Sequence, residues 1–173
     1  MAEREILLLG NPALYEISEA VDRSELGALK TVVKDLHDTM MVFRKRYGVG
    51  RAIAAPQIGV GKRLIYQYID SPVVYMNPAL APVGDELIEV WDDCMSFPDI
   101  LVKVRRYRRI AIRYRTVDWE ERELTLEDGL AELVQHEYDH LNGILAVSRA
   151  VDGRSFALSS QKKFIKRDLR PRL

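Results

Sequence analysis

The sequence is short of several things, and each shortage excludes a class. One cysteine, Cys94, in 173 residues rules out an internal disulfide. Three histidines, His37, His136 and His140, are all that any imidazole chemistry can draw on. There is no charge excess: Lys+Arg and Asp+Glu are both 26, a balance that points to neither DNA nor an anionic membrane surface. No apolar run approaches the roughly 20 residues that cross a bilayer. The opening Met1-Ala2-Glu3-Arg4-Glu5 has no basic segment leading into an apolar signal core. Repeats, low-complexity tracts and linkers are also missing. The expectation is a soluble, cytoplasmic protein with a single domain over residues 1–173, without DNA or membrane partners. A content of 47% hydrophobic and 30% charged residues suits an ordinary globular core.

What is there falls into helices separated by short strands. Leu29, Val32, Val33, Leu36, Met40, Phe43 and Tyr47 recur at helical spacing, and Gly48 supplies a C-terminal stop. A Gly- and Ala-rich segment, 48–61, reads as a loop. Strands are predicted at 64–69, 73–76, 86–91, 101–105 and 109–115, then a turn at 117–120 and a strand at 122–126. In 109–115 the apolar Ile110, Ile112 and Tyr114 alternate with Arg109, Arg113 and Arg115, the pattern of a half-buried strand. A second helix is predicted at 127–141, ending at Asn142-Gly143, and a third, amphipathic and basic, at 155–169. Without βαβ alternation the class is α+β, with mainly antiparallel sheets packed around a central helix.

The chemistry concentrates in His136-Glu137-Tyr138-Asp139-His140. Helical residues four apart stack on one face, so both imidazoles can reach one metal ion, with Glu137 within reach of a water held there. Leu130, Leu133, Val134, Glu137 and Leu141 mark the face expected to be buried, with the two histidines on its edge. Glu137 then sits on a core-facing position, where an unpaired carboxylate is costly unless it has such a water as partner. The bland alternative is a surface helix with two unrelated histidines. A catalytic site of this kind needs a third protein ligand and an open position. Cys94 is the candidate, because it follows an apolar strand and a thiolate suits Zn and Fe(II). Alone it reads as a buried core thiol, and the acidic alternatives are Glu132 or a carboxylate further along the chain. His37, isolated on the first helix, reads as an ordinary, partly exposed side chain.

Three segments in order resemble the motifs of peptide deformylases. They are Gly50-Arg51-Ala52-Ile53-Ala54-Ala55-Pro56-Gln57-Ile58-Gly59, then Asp92-Asp93-Cys94-Met95-Ser96, then Gln135-His136-Glu137-Tyr138-Asp139-His140-Leu141-Asn142-Gly143. Asn11-Pro12 and Met76-Asn77-Pro78 add to the resemblance, which runs from about residue 6 to residue 145. It implies removal of the N-formyl group from formylmethionine of nascent bacterial or organellar polypeptides. It implies one divalent metal ion, usually Fe(II), with Zn or Ni in some members, held by Cys94, His136 and His140. It implies Glu137 as acid and base, and Gln57 with the backbone N–H of Met95 as donors to the developing oxyanion. Gly50, Ala52, Asp93 and Leu133 fall in the implied substrate groove. A related metallohydrolase for another N-acyl substrate, or a weakly active metal-binding paralogue, would keep the same ligands.

The chain departs from the family pattern at several places. Ala52 stands for the second glycine of Gly-x-Gly-Leu-Ala-Ala-Pro-Gln, and Asp92-Asp93 for the Glu-Gly of Glu-Gly-Cys-Leu-Ser. A β-carbon at Ala52 or Asp93 is expected to crowd a peptide backbone or meet a forbidden positive φ. Arg106 matches an arginine that pairs with the acid at Asp92. An arginine often found after the second motif is absent, with Leu101 nearby. Gly129 stands where large apolar residues are common, which predicts an altered methionine pocket. The basic stretch Lys162, Lys163, Lys166, Arg167, Arg170 and Arg172 reads first as a solvated helix face, and second as a transient contact with the ribosome.

Overall fold

A computed structural model of the protein describes residues 3–165. Its first long element is helix α1, Leu26–Tyr47, of 22 residues. The helix begins earlier than the apolar periodicity does, continuing directly from a 3₁₀ turn, Arg23–Glu25, that Asp22 caps. The Asp22 side chain accepts from the Ser24 N–H, and Glu25 accepts from the Asp22 N–H at 2.7 Å. It ends where Gly48 takes a left-handed φ of 72° and donates to the Arg44 carbonyl. The buried stripe is Leu29, Leu36, Met40 and Phe43.

The segment read as a Gly/Ala loop is more ordered than its composition predicts. It holds a three-residue strand, β1, Ala52–Ala54, and a 3₁₀ turn, Ala55–Ile58. All three strand residues are buried, so there is no alternation to see in the sequence. Strands β2, Leu64–Tyr68, and β3, Pro72–Pro82, follow. β3 is longer than expected because it is broken in the middle: its pairing register shifts between Met76 and Ala79. Asn77 has a φ of 49° there, and its side chain accepts from the Val21 N–H and donates to the Val21 carbonyl, both at 2.8 Å. Pro78 cannot donate to a ladder, so the bulge falls beside it.

The remaining strands match the predicted ones within two residues: β4, Leu87–Asp93; β5, Ile100–Tyr107; β6, Arg109–Arg115; and β7, Glu121–Glu127. Helix α2, Asp128–His140, comes next, and strand β8, Phe156–Leu158, comes last. Among the described residues every pairing between these strands is antiparallel, in a five-stranded sheet ordered β1-β2-β3-β6-β7 and a three-stranded sheet ordered β4-β5-β8. Helix α2 packs against β1, β5 and β7, placing it between the sheets. Its Ala131 and Val134, with Leu141 at its C-terminal end, join Ile65, Tyr75, Ile110 and Ile112 in one core cluster. Cys94, Phe97, Val102 and Val104 belong to another, on the three-stranded sheet. No described helix is long and apolar enough to cross a membrane.

The predicted third helix is corrected by the structure. Residues 156–158 form β8 on the edge of β5, pairing Phe156 with Val102, Ala157 with Leu101 and Leu158 with Ile100. Ser159–Phe164 is a 3₁₀ turn. The helical pattern of 155–169 is local; an unpaired strand edge next to it offers ladder hydrogen bonds that the pattern cannot reveal. Lys162 and Lys163 lie in the turn, while Lys166, Arg167, Arg170 and Arg172 fall outside the described residues.

Candidate active site

Cys94 is the first residue after β4, held in a turn in which the Phe97 N–H donates to its carbonyl at 3.1 Å. From α2, His140 Nε2 lies 3.3 Å from Cys94 Sγ and 3.2 Å from His136 Nε2. The three ligand atoms lie within 4.8 Å of one another, and all three residues are buried. Both imidazoles are thus enclosed rather than on the edge of the buried face, with His140 only 1% exposed, because the helix is covered on both sides. Leu130, placed on that face by the sequence pattern, is only half-buried.

The donor set fits a metal ion. Tetrahedral bonds of about 2.0–2.3 Å set neighbouring donors roughly 3.3–3.6 Å apart, and the observed separations of 3.3 and 3.2 Å match this. The alternative acidic ligand, Glu132, is not in the cluster. It pairs with Arg51 at 3.4 Å.

A chain of charged groups orients the histidines. His136 Nδ1 lies 2.9 Å from Asp92 Oδ2, and the same carboxylate oxygen accepts from Arg106 Nη2 at 2.9 Å. Arg106 also donates to Asp139, which accepts a two-pronged contact from Arg149 at 2.6 and 2.7 Å. Arg106 was legible in the sequence, whereas Asp139 and Arg149 were not. Burial opposes the Asp92 carboxylate, but His136 and Arg106 outweigh it and hold the carboxyl well below its usual range. Burial likewise opposes a charge on His136, and Asp92 and Cys94 outweigh it, raising this imidazole. His140 is lowered, first by burial and then by His136. A proton held between His136 Nδ1 and Asp92 leaves Nε2 free to face Cys94 and His140.

Glu137 is 4% exposed, and its Oε2 has no hydrogen-bond partner among the described residues. Burial pushes its carboxyl up to about 7, with Asp92 and Glu132 adding to the effect and His136 and Arg51 opposing it. Gln57, 1% exposed, sits in the 3₁₀ turn after β1. Its Oε1 accepts from the Ala54 N–H at 2.9 Å, which turns the NH₂ group toward Cys94 Sγ, 3.6 Å away, and Ser96 Oγ, 3.3 Å away.

These groups open onto a cleft of about 420 Å³. Gly50, Ala52, Asp93, Met95, Leu101 and Leu133 all line it, so the predicted groove residues come together. Gly50 has a φ of 125°, where a glycine is needed. Ala52 and Asp93 sit in β1 and β4, and neither is among the positive-φ residues. Their β-carbons therefore meet no forbidden backbone angle. Gly129 does not line the cleft; a β-carbon there would lie 3.9 Å from Arg51 Nη1. The sequence reading missed the arrangement of Arg51, and of Ser159 and Lys162, which also line the cleft. His37 is half-buried, with Nδ1 2.7 Å from the Tyr66 hydroxyl, far in role from the site.

An α+β frame that turns a cysteine and two helical histidines onto one point, beside a buried carboxylate and an amide donor, is the build of a mononuclear metal-dependent hydrolase. The profile of the polypeptide deformylase family matches residues 3–155, and the chain belongs to that family. It is 36% identical to peptide deformylase 1 of Prochlorococcus marinus, over 93% of this chain and 88% of that protein. The crystal structure of the Thermotoga maritima peptide deformylase is similar with a TM-score of 0.80 at 30% identity, covering 88% of this chain and all (100%) of that one. A Met-Ala-Ser-bound peptide deformylase from Acinetobacter baumannii gives a TM-score of 0.79 at 30% identity, over 86% and 99% of the two chains.

Proposed function

We infer that the chain removes the N-formyl group from formylmethionine at the start of nascent polypeptides, with Cys94, His136 and His140 holding one divalent metal ion. The observation that carries the site assignment is the convergence of those three donors beside the unpartnered Oε2 of Glu137. A similar enzyme has been crystallised with Met-Ala-Ser, the kind of peptide that deformylation leaves. A bound metal ion supplies Lewis acidity and lowers the pKa of water.

The chain's own residues do the rest. Glu137 takes a proton from the attacking water as its oxygen bonds to the formyl carbon. Gln57 Nε2 and the backbone N–H of Met95 donate to the oxygen on which charge develops. Glu137 then delivers the proton to the nitrogen as the C–N bond breaks, leaving formate and a free α-amine. A buried carboxyl beside the ligand set, with Oε2 unpartnered among the described residues, is placed for both halves of that task. The donor set suits Zn and Fe(II) alike; the likeness to the deformylase family is what favours Fe(II), with Zn or Ni as the alternatives. A substrate made on the ribosome places the enzyme in the bacterial cytoplasm. Lys162 and Lys163, in the turn after β8, are the described part of the surface proposed for transient ribosome contact.

The test is formate release from formyl-Met-Ala-Ser by anaerobically prepared protein of measured metal content. Metal-dependent release is expected. No release from formyl peptides, with hydrolysis of other N-acyl compounds, would transfer the assignment to the related-hydrolase reading.

A further inference from the structure

Within the cleft, one pair of groups is not used by the chemistry above. Glu132 is four residues before His136 on α2, one turn or about 6 Å along the same helix face. It is 8% exposed and pairs with Arg51, whose guanidinium reaches it from the segment between α1 and β1. The contact is long, 3.4 Å, and Arg51 Nη1 is buried with no hydrogen-bond partner among the described residues. That nitrogen lies over Gly129, a further turn along α2, in space that a large side chain at 129 would occupy. Apolar side chains that line the same cleft include Leu133, Leu101 and Phe43. A charged pair with an unspent donor therefore lines the cleft, one helical turn from a metal-ligating position.

A side chain attached beside the scissile bond, as long as methionine or glutamine, spans about one helical turn. Resting on the deformylase reading, we propose that Arg51 and Glu132 determine specificity by receiving the end of the first residue's side chain, and that they admit neutral side chains ending in a hydrogen-bonding dipole. The pair is neutral overall, so a charged side chain of either sign gains from one member what it loses to the other and still has to leave water. A primary amide complements both members, its oxygen accepting from Arg51 Nη1 and its NH₂ donating to Glu132. A sulfoxide oxygen complements Arg51 alone. Methionine's thioether accepts weakly and leaves the buried donor unspent, a cost that a wholly apolar recess would not carry.

The experiment compares kcat/KM for formyl-Met-Ala-Ser, formyl-Met-sulfoxide-Ala-Ser and formyl-Gln-Ala-Ser, in the metal-loaded wild type and in the double variant Arg51→Leu/Glu132→Leu. Replacing both charges together avoids stranding one of them. The wild type is expected to cleave the glutamine peptide within about tenfold of the methionine peptide, with the sulfoxide between them. The double variant is expected to lower the glutamine-to-methionine ratio about tenfold or more, the scale of one hydrogen bond. Should the double variant not fold, Glu132→Gln, which keeps the shape, is expected to lower the same ratio severalfold. An unchanged ratio in the folded variant overturns the proposal. So does a wild type that cleaves the methionine peptide alone. No formate from any of the three peptides overturns the deformylase reading itself, and this inference falls with it.

Discussion

Asp92 Oδ2 lies 2.9 Å from His136 Nδ1, and this contact joins the strand leading into Cys94 to the helix that carries both histidines. The carboxylate and the thiol are two residues apart, at the end of β4 and just beyond it, so orienting His136 also fixes the distance between the sheet and α2. Asp92→Asn removes the charge that holds the proton on Nδ1 and leaves Arg106 with Asp139 alone. Metal affinity is expected to fall about 10- to 100-fold, the usual effect of losing the partner of a ligating histidine. Breaking such a buried pair also costs about 3–5 kcal/mol of stability. Metal titration and denaturant unfolding of the same variant measure both; unchanged metal affinity would show that the ring is oriented by packing instead.

Metal dependence follows from the donor set. Cys94→Ala and His140→Ala should each purify with little bound metal, and a chelator should abolish turnover of the wild type, with activity returning on addition of Fe(II). Elemental analysis against formate release decides it. Full activity in the metal-stripped protein would contradict the assignment.

Glu137 separates binding from chemistry. Glu137→Gln keeps the size of the side chain and touches no ligand atom, so bound metal should be retained. Turnover should drop at least the roughly 100- to 10,000-fold typical of a lost general acid–base. Near-normal turnover by the metal-loaded variant would mean that another group carries the proton.

The same residue gives the metal-free protein a pH signature. Burial raises the Glu137 carboxyl from 4.5 to about 7, so the fold binds this proton more tightly than the unfolded chain does. The resulting contribution is complete below pH 4.5 and is lost as the pH rises through 7. At ~1.4 kcal/mol per pKa unit the loss is about 3 kcal/mol. Measured by urea unfolding of metal-free protein, Glu137→Gln should gain that much on the wild type between acid and mildly alkaline pH. Parallel stability curves would show that the buried carboxyl is not proton-linked to folding.

Gly129 gives a steric prediction. A leucine there would meet the Arg51 guanidinium, which lies 3.9 Å from the position of its β-carbon. Gly129→Leu should push Arg51 from its contact with Glu132 and raise KM for formyl-Met-Ala-Ser severalfold, with kcat changed less, because Glu137 and the ligand set are untouched. An equal loss in kcat and in kcat/KM would place the effect on the reacting groups instead.

The sequence by itself determined what is local. The stripe Leu29, Leu36, Met40 and Phe43 made α1 a helix, and alternation along 109–115 made β6 a strand. Spacing of four put His136 and His140 on one face of α2, because a helix turn is short-range geometry. The motifs around Gln57 and Cys94 were readable in order along the chain. What tertiary structure decided depends on which distant segment comes alongside. A free edge of β5 turned 156–158 into a strand against its helical pattern. Two sheets closing on α2 buried both histidines, which a single amphipathic face would have left at its rim. Arg51 met Glu132 across 81 positions of sequence, and Arg106 bridged Asp92 and Asp139, pairings that no periodicity encodes. Periodicity reports the face an element turns inward; only packing fixes which charges then share that interior, because each buried charge must find its partner there.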